Sequence, residues 1–158
     1  MQWRLVALMT LLILPLGGGR SSAAEGDIPA SVAAFYRALN AGADVGALIG
    51  QATAPDWASC GGNDTCRTRD ETVQAISRLH QAVPDIGWEI REAVVAGDRV
   101  IVRGKATGTP AGDFLGVPNG GKSFQLMSID VHTLAGGRIV RSYHVEDWMG
   151  ASRQLSAK

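Results

Sequence analysis

The chain has 158 residues, with 15 Lys and Arg against 15 Asp and Glu, and its formal charge is zero. The basic residues are scattered, so the cationic footprint that nucleic-acid binding needs is missing. The length suits one ordinary domain, and neither internal repeats nor a low-complexity tract argue for anything else.

Arg4 precedes an apolar run over residues 5–16, and small residues follow at Ser21-Ser22-Ala23-Ala24. This reads as a secretory signal over residues 1–24, too short for a transmembrane span; the rival reading is a retained N-terminal anchor. Cleavage leaves a domain over residues 25–158, secreted or periplasmic, with no membrane contact of its own.

Asp27 is placed to cap a helix with Pro29 in its first turn, and Ile28, Val32, Phe35 and Leu39 recur at helical spacing up to Asn40-Ala41-Gly42. A shorter helix is expected over residues 44–50, and then little regular structure beyond a short strand around Trp57. Cys60 and Cys66 flank the turn-prone residues 61–65. In an oxidising compartment they read as a short-loop disulfide, because no matching Cys/His pair supports a metal site. Thr68-Arg69-Asp70-Glu71 fits a capping box, and Val73, Ile76, Leu79, His80 and Val83 give the following helix its apolar side until Pro84 ends it. His80 sits at the margin of that stripe and reads as a core-edge histidine.

Two Val- and Ile-rich strands over residues 87–96 and 99–107 turn at Gly97-Asp98. The Gly- and Pro-rich residues 108–121 make a long loop with Phe114, Leu115 and Val117 as apolar anchors, a pattern that suits a lid or rim. A second hairpin follows, with strands over residues 124–134 and 139–145 around Gly136-Gly137. Unbroken alternation from that turn sets Asp130 opposite Tyr143, Ser128 opposite Val145 and Leu126 opposite Asp147, all on one face. A β-bulge would move His144 toward the pocket and make it the alternative base. Helices first and a curved antiparallel sheet afterward give an α+β domain.

This element order, with Gly108-Thr109, Gly112-Asp113-Phe114, Gly116, Pro118 and Gly121-Lys122, and then Gly137-Arg138-Ile139, Tyr143, Asp147 and Arg153-Gln154-Leu155, resembles the SnoaL-like polyketide cyclases, or ester cyclases. The resemblance implies the cone-shaped fold named after nuclear transport factor two, in which N-terminal helices and a strongly curved sheet enclose a pocket. It further implies aldol-type ring closure without a cofactor on a hydrophobic polycarbonyl compound or its ester. On that resemblance Asp147 would be the general acid/base; the strand register adds Tyr143 as its partner and Leu126 and Val145 beside it. Asp130, Ser128, Trp57 and Phe114 are the further candidates around the substrate, Ser128 and Asp130 standing where the family commonly carries a Gln and a His. Asp147 also reads as a cap for a helix starting at Trp148. Ser128, Asp130 and His132 do not make a hydrolytic triad, because alternate strand residues point in parallel. The rival from another class is a noncatalytic module of the same fold that binds a small molecule or dimerises through its sheet.

Overall fold

Helix α1 (Ala30–Ala38) opens the part of the chain that the computed structural model describes, residues 28–157. Its N-cap is Pro29, which makes no side-chain hydrogen bond; the expected cap Asp27 and the expected signal lie outside the described residues. Asp44 caps α2 (Val45–Ala52) by accepting the Ala47 N–H at 3.0 Å. The chain then runs straight into β1 (Thr53–Cys60), longer than the short strand expected around Trp57. Pro55 and Asp56, residue types that strand interiors disfavour, are tolerated because the pairing of β1 is irregular between Thr53 and Ala58.

A disulfide joins Cys60 to Cys66 and closes β1 onto β2 (Cys66–Thr68). Thr68 and Glu71 form the capping box of α3 (Arg69–Ala82). The strands β3 (Gly87–Ala96), β4 (Arg99–Gly108), β5 (Phe124–Ala135) and β6 (Arg138–Glu146) follow, and α4 (Trp148–Ser156) closes the fold. One six-stranded sheet results, in the order β2-β1-β6-β5-β4-β3, antiparallel except where β1 runs parallel to β6. The first three helices cover one face, burying Val32, Phe35, Ile49 and Ile76 with Trp57, Val100 and Val102 of the strands. This is the α+β architecture that the element order gave, in the cone shape that the resemblance implied.

The β5–β6 hairpin departs from flat alternation. Gly136 and Gly137 take φ of 56° and 74°, as the tight turn requires. Leu134 pairs with Ile139 as expected, but Thr133 then pairs with Arg141, leaving Val140 as an extra residue. Beyond that bulge Asp130 lies opposite His144 rather than Tyr143, and Ser128 opposite Glu146 rather than Val145. Ser142, His144 and Glu146 therefore join Ser128, Asp130 and His132 on the helix-covered face. Tyr143 and Val145 turn to the outer face, where they are 37% and 62% exposed.

Candidate functional site

A cavity of about 240 Å³ lies between the helices and the sheet. Phe35 of α1 and Leu39 at its C-cap, Ile76 and Leu79 of α3, and Trp88 and Trp148 make its apolar wall, while Arg67, Asp130, His144 and Glu146 supply its ionisable groups. A few convergent polar groups in an apolar concavity are the usual make-up of a small-molecule site.

Asp130 is the most deeply placed of these acids, at 5% exposure. Its Oδ2 accepts the hydroxyl of Tyr36 at 2.6 Å, a bond that ties α1 to the middle of the sheet. Burial pushes the Asp130 carboxyl up to about 6; the Tyr36 hydroxyl opposes that rise, and the Glu146 charge adds to it. The Tyr36 phenol is itself pushed up, first by burial and then by the Asp130 charge, so it stays a donor.

His144 and Glu146 form a second unit. Nδ1 of His144 donates to Oε1 of Glu146 at 2.7 Å, and the Trp148 indole N–H donates to Oε2 at 3.3 Å. A carboxylate only accepts, so the proton sits on Nδ1. The bond to Glu146 raises the His144 pKa against burial, which lowers it.

His132 is occupied otherwise. Trp57 donates its indole N–H to Oγ of Ser142 at 3.0 Å, and that hydroxyl is left to donate to Nδ1 of His132 at 2.8 Å. The ring is wedged at right angles against Tyr36 and near Phe35. Burial depresses its pKa to about 4 and keeps it neutral.

The expected site residues therefore separate. Asp130 enters the cavity wall, while Ser128 is buried behind it, accepting the Trp88 indole N–H at 3.3 Å. Trp57 and Leu126 are core residues, and Phe114 packs on Phe124 and Trp148 behind the wall. Asp147 is exposed at the N-terminus of α4, where its carboxylate accepts the Gly150 N–H at 2.7 Å. Tyr143 and Val145 face away from the cavity because of the bulge. His80 is half-buried on α3 and does not line the cavity.

Sequence reasoning missed Tyr36, Trp88 and Trp148. The signal for Tyr36 was a phenol four residues after Val32 on a buried helix side, since such a hydroxyl needs a partner.

A second, larger cavity of about 560 Å³ runs between α1 and the edge strand β3, and it shares Trp88 with the first. Among the described residues no cluster of three metal-ligating side chains occurs, and no helix is long and apolar enough to cross a membrane.

Comparison with known proteins bears on this arrangement. Over 80% of its length the chain is similar to IdmH, a candidate polyketide cyclase from Streptomyces antibioticus, at 27% identity and a TM-score of 0.71, covering 96% of that chain. TsrD from Streptomyces laurentii is 25% identical with a TM-score of 0.68, over 81% of this chain and 93% of that one. A SnoaL-like polyketide cyclase from Agrobacterium tumefaciens shares the fold at 19% identity and a TM-score of 0.67, over 83% of this chain and 97% of that one. A comparison with curated proteins finds no match. The family model of the SnoaL-like polyketide cyclases matches residues 30–155, from the first residue of α1 to the last turn of α4, and the chain belongs to that family.

Proposed function

We propose that the cavity binds a hydrophobic carbonyl compound and closes a ring in it by cofactor-free acid/base chemistry, with Asp130 as the proton carrier. The observation that carries this reading is the buried Asp130 carboxyl, held by Tyr36 and raised to about 6 in an apolar wall. Near neutral pH the ionised carboxylate takes a proton from a carbon beside a carbonyl; the resulting enolate carbon attacks a second carbonyl of the same molecule, and the new alkoxide takes the proton back from Asp130. Glu146 raises the His144 pKa and so favours the protonated ring, which in that form stabilises the negative charge that builds on oxygen. Asp147, favoured from sequence spacing, leaves this role because its carboxylate caps α4 and stands outside the cavity.

Closure of an apolar 1,5-diketone to its hydroxycyclohexanone tests the proposal. Asp130→Asn should slow it by ~100-fold or more, whereas Asp147→Asn should run like the parent. Equal turnover by Asp130→Asn and the parent would sink the catalytic reading and leave the noncatalytic binding module.

We extend the proposal to the setting in which the protein works. The Cys60–Cys66 disulfide is compatible with an extracellular location and supports export by the N-terminal signal. The outer sheet face carries Val94, Ile101, Val131 and Tyr143 as one cross-strand row, with Val145 and Met127 exposed beside it. That surface supports a homodimer through the sheet. Light scattering of Val145→Lys beside the parent reads it directly.

A further inference from the structure

We infer that Arg67 makes the cavity selective for an apolar molecule that carries a carboxylate. The inference rests on the proposed use of that cavity and names the class of molecule that enters it.

Arg67 is the middle residue of β2, a strand of three residues that its own ladder could hardly hold in place. Both neighbours are fastened. Cys66 is bonded to Cys60, and the Thr68 N–H and hydroxyl both donate to Oε2 of Glu71 at 2.8 Å. Arg67 pairs with Ser59, and both side chains line the cavity. The chain has thus placed a cation at a fixed address on the wall, while leaving it solvent-exposed at the mouth.

No carboxylate among the described residues forms an ion pair with Arg67. The two acids of the cavity wall and the acid bonded to the neighbouring Thr68 are engaged elsewhere: Glu146 by His144 and Trp148, Asp130 by Tyr36, and Glu71 in the capping box. The cavity that Arg67 borders carries an apolar wall from Phe35, Leu39, Ile76 and Leu79. A guanidinium presents paired N–H donors that match a planar carboxylate, and an ester of the same body offers no charge for them. An apolar body lying on the α1 and α3 side chains with its carboxylate toward β2 satisfies the cation and the apolar wall together.

Calorimetric titration of the protein with 2-naphthoate and with methyl 2-naphthoate tests this, with the Trp148 indole N–H followed by NMR as the marker of cavity occupancy. The acid should bind ~10-fold more tightly than the ester. Arg67→Gln should remove that preference by weakening the acid alone, and Arg67→Lys should restore part of it. An unchanged Trp57 indole signal in each variant reports an intact fold. If the ester shifts the Trp148 signal as strongly as the acid, or if Arg67→Gln weakens both alike, the inference is overturned while the use of the cavity stands. If neither ligand moves the Trp148 signal, both are overturned.

Discussion

The hydroxyl of Tyr36 and Oδ2 of Asp130 meet at 2.6 Å although 94 positions separate them in the chain. The bond joins the first helix to the centre of the sheet, and it is the donor that keeps a buried carboxylate tolerable. Replacing Tyr36 by Phe leaves the ring and deletes the donor. Because that donor holds the Asp130 pKa down against burial, its loss should move the acid limb of the turnover profile to higher pH. Stability at pH 7 should fall by about 1–3 kcal/mol, read from urea denaturation.

Asp130 and His132 set opposite pH dependences in one window. Asp130 rises from 3.8 to about 6 on folding, so between those values the folded state keeps a proton that the unfolded chain has lost, and stability falls as pH rises. His132 drops from 6.5 to about 4, so there the unfolded chain holds the extra proton, and stability rises with pH. The parent should show a flattened profile from pH 4 to 6. Urea midpoints should fall with pH in His132→Gln and climb with pH in Asp130→Asn.

Glu146 governs the charge on His144. Its hydrogen bond is the leading cause that raises the histidine pKa, and burial acts the other way. Glu146→Gln should therefore bring the His144 titration down below its present value, followed through the ring Cε1–H signal by NMR. A titration that stays in place would show that Glu146 does not hold the proton.

Asp147 has a structural duty that a substitution series can isolate. Asp147→Ala removes the acceptor for the Gly150 N–H and should cost about 1 kcal/mol. Asp147→Asn keeps an acceptor and should lose little. Both readings come from thermal or urea denaturation, with the Trp148 signal unchanged.

Gly104 marks a close approach between β4 and the Trp88 ring. A Cβ there would stand 2.5 Å from Ser128 Oγ and 3.0 Å from Trp88 Nε1. Gly104→Ala should thus displace the indole from the cavity wall and cost about 1–3 kcal/mol. Loss of the native Trp88 indole signal is the observable.

The element order was legible in the sequence because its punctuation is local: the Thr68–Glu71 box, Pro84 after α3, Gly97-Asp98 and Gly136-Gly137 each stop or start an element within a few residues. The length of β1 was not, since Pro55 and Asp56 speak against a strand, and only a distant, irregular pairing with β6 accommodates them. Half of the site was hidden for a related reason. β5 shows which of its residues face the helices by simple alternation, but the bulge at Val140 carries no Gly or Pro to announce it, and it reverses the face of every later residue of β6. Tyr36 and Arg67 enter the site from elements far from that hairpin, so no local spacing connects them to it.

Trp88 stands in the walls of both cavities, with its N–H on Ser128 and its backbone N–H on Asn40 of the segment after α1. The two cavities therefore have one residue of wall in common. The bond from its indole to Ser128 anchors that common wall to the middle of the sheet, so a change at Trp88 is felt in both spaces at once.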